Sequence, residues 1–134
     1  MTQTTTASIG PLMRQLTDAW NDGNAARYAA PFTVDADHIA FFGVRMRGRQ
    51  EIEDGHRHLF RLPIKLDSGG ARRAEIKPLA AGVTLIIVAG GSAVNVQTDP
   101  TRNSVITQTA VDTRDGRRLA SFQNTRVNDP RADR

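Results

Sequence analysis

The chain has 134 residues, 39% of them hydrophobic and 24% charged, which suits one globular domain with a single core and gives no sign of a disordered or collagenous protein. Its lack of cysteine excludes disulfides, thiolate nucleophiles and thiolate metal sites. Eighteen basic against fourteen acidic side chains leave a net charge of +4 and a pI of about 10.6, but the arginines are spread along the whole chain with acids nearby and few aromatics among them, so no nucleic-acid partner is expected.

The N-terminal stretch MTQTTTASIG has neither a basic segment nor an apolar one, so no signal peptide is read there and the cytoplasm is the expected location. The apolar run from Val83 to Ala89 is far too short to span a bilayer, so no membrane partner is expected either. Next, Ile9, Leu12, Met13, Leu16, Ala19 and Trp20 form one helical stripe, with Ser8 or Gly10 as its cap and Pro11 in its first turn. Asn21-Asp22-Gly23 closes this helix, with Gly23 left-handed. Asn24 caps a second, short helix over AARYAAPF, which Pro31 cuts off.

A strand is expected from Asp37 to Phe42, with His38, Ala40 and Phe42 on one side. Asp35 and Asp37, just before or at its start, suggest a turn and cap more than a carboxylate pair. Gly43 turns the chain, Arg45-Met46-Arg47 makes a second strand, and Gly48 precedes a third helix that buries Ile52, His56, Leu59 and Phe60, while His58 points to solvent. A strand begins at Ile64 to Leu66, is interrupted by Asp67-Ser68-Gly69-Gly70, and resumes from Arg72 to Leu79 with Pro78 marking an edge. Val83 to Val88 reads as a central strand, Asn95 to Asn103 as a polar loop, and Ser104 to Thr113 alternates with Ile106, Gln108 and Ala110 on one face. Asp115-Gly116 is expected to turn the chain into a last strand from Arg118 to Val127, followed by a polar tail. Helices followed by a run of strands give an α+β domain spanning 1–134, with its ordered core at about 9–127.

The words AWNDGN (19 to 24), F-x-x-D-A (32 to 36), FFGVRMRGRQEI (41 to 52) and LASFQNTRV (119 to 127), in this order, resemble the SnoaL-like group of the nuclear transport factor 2-like superfamily, and most of all its SgcJ/EcaC family. The resemblance implies a cone, or cystatin-like α+β roll, with three helices packed on a curved antiparallel sheet, a pocket at its open end, and a homodimer formed through the sheet. It implies a hydrophobic, polyketide-like small molecule as partner, since some members occur in polyketide gene clusters. The family's oxidoreductase label finds no dinucleotide motif and no metal-ligand spacing in this sequence, so no cofactor or metal is expected. The superfamily's ketosteroid isomerases carry a base aspartate and a helix-1 tyrosine, and ungapped alignment puts Ala40 and Leu16 at those places. Both the proton acceptor and the hydrogen-bond donor of that mechanism are thus absent.

Any proton transfer, such as an isomerisation, cyclisation or hydration, must then use other groups. His56 and His38 are the acid–base candidates, since a strand and the helix after it can bring them together; the alternatives are a buried histidine hydrogen-bonded to backbone or to a side chain for His56, and stacking at a sheet rim or a dimer contact for His38. Trp20, Tyr28, Phe42 and Phe60 are candidates to line an apolar pocket or to fill ordinary core. Gln108, Gln123 and Asn124 are candidates to orient a ligand carbonyl or hydroxyl, and because Gln123 and Asn124 point to opposite faces, one of them should face inward. The rival reading is a non-catalytic module that sequesters a ligand or mediates assembly.

Overall fold

Helix α1 runs from Thr5 to Asp22 and buries Ile9, Leu12, Leu16 and Ala19 along the stripe expected of it. This computed structural model describes residues 5–66, 73–90, 92–94, 97–98 and 103–127; the Asp67-to-Gly70 interruption, most of the 95–103 loop and the tail after Val127 lie outside them. The helix starts earlier than Ser8 or Gly10, so Pro11 sits inside it and denies the carbonyl four residues back its usual donor. At the far end the Gly23 amide donates to the Trp20 carbonyl (3.0 Å) and the Asn24 amide to the Ala19 carbonyl (2.8 Å). That paired pattern needs a left-handed residue, and Gly23 supplies it at φ +70°.

Asn24 then caps α2 (Ala25–Ala29), its side-chain oxygen accepting from the Arg27 amide at 3.0 Å. The helix stops before Pro31, and Phe32 is not its last residue but the first of a strand. This strand, β1 (Phe32–Ile39), begins five residues earlier than expected and ends before Phe41 and Phe42. Arg49 clamps its start, donating from Nε (2.9 Å) and Nη2 (2.6 Å) to the Phe32 carbonyl. Asp35 and Asp37 therefore lie within the strand rather than in a turn, and Asp37 pairs with Arg45 across the ladder at 2.9 Å.

β2 (Arg45–Arg47) leads into α3 (Gly48–Leu59), which packs along β1 and buries Ile52 and His56; His58 is exposed, as expected. β3 (Ile64–Leu66) and β4 (Arg73–Ala80) are not one interrupted strand. β3 joins a small sheet in the order β3-β6-β7 with β6 (Ser92–Val94) and β7 (Gln97–Thr98), so part of the expected polar loop is strand. β4 forms one edge of the main sheet, consistent with Pro78, and β5 (Val83–Gly90) lies inside it.

The main sheet completes with β8 (Ser104–Thr113) and β9 (Gly116–Arg126) in the order β2-β1-β9-β8-β5-β4. Thr113 pairs with Gly116, so the hairpin turn is Arg114-Asp115, one residue before the expected pair, with Gly116 left-handed at φ +107° just after it. The sheet is mixed rather than wholly antiparallel, because β1 runs parallel to β9. β2, α3 and the strands β3 to β8 lie between β1 and β9 in the chain, so nothing in the local sequence forces that pair to be a hairpin.

The registers line up one row of side chains across all six strands: Met46, His38, Phe122, Gln108, Ile86 and Ile76. All but Ile76 are buried, and the three helices pack over this inner face, so the core sits between helices and sheet.

Candidate functional site

A cavity of about 370 Å³ lies between α1 and the inner face of the sheet. One wall is α1, through Ile9, Met13, Leu16 and Thr17. The sheet supplies the other, with Ala74 and Ile76 from β4, Val88 from β5, Ile106 and Gln108 from β8 and Phe122 from β9. Tyr28 of α2 also borders it. The lining is thus largely apolar, with Gln108, Tyr28 and Thr17 as its polar side chains.

Tyr28 joins this cavity to the histidines. Its hydroxyl lies 3.0 Å from Nε2 of His38, inside the protein, where both residues are 3% exposed. His38 stacks flat on Phe122 at 4.1 Å between centroids and meets His56 edge-on at 4.6 Å. His56 in turn stacks on the Tyr28 ring at 4.1 Å, and Trp20 and Phe60 close the cluster with edge contacts. Trp20 is tied to β3, donating from Nε1 to the Ile64 carbonyl at 2.8 Å.

The hydrogen bonds constrain the protons. Nδ1 of His56 lies 2.7 Å from the Ile52 carbonyl, which only accepts, so Nδ1 carries the proton. In His38, Nδ1 is buried and finds no hydrogen-bond partner on another described residue. Burial pushes the His38 pKa well below the usual 6.5, and the neighbouring His56 lowers it further. Burial likewise drives His56 down to about 4, against a small opposing pull from the Ile52 carbonyl, and pushes Tyr28 far up. All three groups are therefore uncharged near neutral pH. They can relay a hydrogen bond but are weak bases, since a catalytic base works best with a pKa near the working pH.

The expected site residues separate accordingly. Tyr28 and Gln108 line the cavity, and His38 reaches it through Tyr28. His56, Trp20 and Phe60 form the cluster behind Tyr28 and are not among the lining side chains. Asn124 faces inward, with a buried Oδ1 that finds no partner, but stands outside the lining, while Gln123 is exposed on the outer face. Phe42 is corrected most clearly. The strand ends at Ile39, so Phe42 falls in the turn that follows, is 53% exposed and packs on Phe41, over which the Arg126 guanidinium lies at 3.9 Å. Ala40 follows the strand end, its amide donating to the Val44 carbonyl.

Sequence reading missed Met13, Thr17, Ile76, Val88 and Phe122 as lining. Met13 lay on the recognised helical stripe and Ile76 and Val88 in expected strands, but the same pattern serves a packed core or a cavity wall, and only the spacing between α1 and β4 distinguishes them. Among the described residues no group of three or more His, Cys, Asp or Glu could hold a metal ion. No helix among them is long and apolar enough to cross a membrane.

No protein-family model matches the chain, and no curated protein does. Solved structures do. A domain of unknown function with a cystatin-like fold from Nostoc punctiforme is 26% identical, with a TM-score of 0.86 over 97% of this chain and 82% of its own. A nuclear transport factor 2-like protein with a cystatin-like fold from Novosphingobium aromaticivorans is 16% identical, with a TM-score of 0.73 over 92% and 82%. A ketosteroid isomerase-like protein from Erwinia carotovora atroseptica is 13% identical, with a TM-score of 0.68 over 92% and 96%. The fold is therefore the cystatin-like, nuclear transport factor 2-like α+β fold, with three helices on a six-stranded sheet.

Proposed function

We propose that this protein binds a hydrophobic, partly oxygenated small molecule between α1 and the inner face of the sheet. The observation that carries this reading is the cavity of about 370 Å³, apolar on most of its wall and supplied with a few inward polar groups. A volume of that size falls at the lower end of the roughly 300–1,000 Å³ usual for small-molecule sites. The finer reading, an SgcJ/EcaC-type protein acting on a polyketide-like intermediate, rests on the sequence words FGVRMRGRQEI and FQNTR.

Within this reading Tyr28 is the group that meets a ligand oxygen, and His38 orients its hydroxyl. His56 supports Tyr28 from behind by stacking rather than reacting. Two imidazoles held neutral by burial favour holding a ligand over abstracting its proton, so binding without turnover is preferred to cofactor-independent isomerase, cyclase or hydratase chemistry. The outer face of the sheet carries Leu85, Ile87, Val105 and Val111, with Val105 39% exposed, and we take it as the surface for a second copy of the chain.

The test is titration with a neutral apolar fluorophore such as N-phenyl-1-naphthylamine. One site per chain is expected, and Ile76→Trp, which fills the cavity, should remove it while circular dichroism stays unchanged. Equal binding by a folded Ile76→Trp variant, or none by the wild type, overturns the reading.

A further inference from the structure

Gln108 sits in the middle of β8 with Phe122 and Ile86 as its cross-strand neighbours. It is only 2% exposed, borders the cavity, and its Oε1 is buried with no partner among the described residues. A buried polar atom left unbonded carries its full desolvation cost, so an amide oxygen without a protein partner at a cavity wall is placed to be met by what the cavity holds, whether water or a ligand head. The oxygen and nitrogen ends of an amide exchange by a half-turn about its last bond, so the group can offer both an acceptor and a donor to one ligand head. Its neighbours along the row, Ile76, Ile86 and Phe122, offer nothing polar in return.

Among the described residues the cavity has no counter-charge. Their lining side chains include no Lys, Arg, Asp or Glu, and the two histidines behind Tyr28 are uncharged near neutral pH. An anionic head placed there would be desolvated and unpaired, despite the chain's net charge of +4.

Resting on the cavity reading above, we propose that Gln108 is the anchor that sets specificity, selecting neutral ligands whose head pairs a donor with an acceptor, as a carboxamide or lactam does. Carboxylates and plain hydrocarbons of the same shape are discriminated against. The apolar walls hold the body of the ligand, and Gln108 fixes its orientation.

Three naphthalenes of matched shape separate the possibilities: 2-naphthamide, 2-naphthoate and 2-methylnaphthalene, titrated calorimetrically near neutral pH. The amide should bind about ten-fold more tightly than the hydrocarbon, as one net hydrogen bond allows, with the carboxylate weakest. In Gln108→Leu, or Gln108→Met should the first variant fold poorly, amide and hydrocarbon should come within about two-fold of each other. Carboxylate binding as tight as the amide's, or an amide preference that survives in the variant, overturns the proposal. If the neutral fluorophore binds but head groups make no difference, only the role of Gln108 fails. If neither the fluorophore nor any naphthalene binds, the cavity reading fails with it.

Discussion

Tyr28 and His38 meet at 3.0 Å with neither side chain open to water, so each is the other's means of satisfying a buried polar group. Tyr28→Phe keeps the ring packing but strands Nε2 of His38, and should cost about 1–3 kcal/mol, read by urea denaturation. Gln108 behaves oppositely. Its oxygen finds no partner among the described residues, so replacing it removes no hydrogen bond within the protein, and Gln108→Leu should not lower the melting temperature. The histidines add a pH dependence with a definite sign. Both bind a proton less readily folded than unfolded, so the unfolded chain gains more protons as the pH falls. Stability is whole above the unfolded value of 6.5 and declines as the pH drops below it, with the share of His56 saturating below about 4. That share is about 3 kcal/mol, and denaturation midpoints measured across this range should show it, with a flatter profile in His56→Phe.

At the scale of elements, two glycines hold the joints on either side of the β1 strand. Gly23 ends α1 at φ +70° with open space around a would-be Cβ, whereas Gly48 starts α3 at φ +86° with the Val34 carbonyl 3.0 Å from that position. Gly23→Ala should cost about 1 kcal/mol, the ordinary penalty for a left-handed alanine. Gly48→Ala should cost more, because the same penalty is joined by a backbone contact that cannot rotate away, and thermal melts of the two variants should show that order. The elements themselves were largely legible. Helical stripes in α1 and α3, the Asn24 cap and the alternation of β8 follow from local spacing and capping chemistry. β1 was misplaced because Phe32 extends the apolar face of α2 in sequence, and only Pro31 and the grip of Arg49 on the Phe32 carbonyl decide that it opens a strand.

For the whole molecule, the helices cover one face of the main sheet and leave the other bearing Leu85, Ile87, Val105 and Val111. If that face joins two copies, wild-type protein should run by light scattering at twice the 14.6 kDa of one chain. Ile87→Glu should then return it to a single chain, since an unpaired carboxylate cannot be desolvated there without a large cost. A wild-type chain already monomeric would remove the role given to this face.

The sequence by itself determined the α+β class, the buried stripes of α1 and α3, the alternation of β8 and the lack of thiol chemistry, because each depends on residue type and on periods of 2 or 3.6 residues. Tertiary structure alone decided the rest. The row from Met46 to Ile76 is assembled from six strands whose order departs from chain order, and the parallel partnership of β1 with β9 brings Phe122 flat against His38. The bond from Tyr28 to His38 joins a helix to a strand, and the gap between α1 and β4 becomes a cavity only through how far apart those elements pack. No local spacing encodes such distances. They arise where packing across the core fails to close, and there Gln108 finds no partner among the described residues.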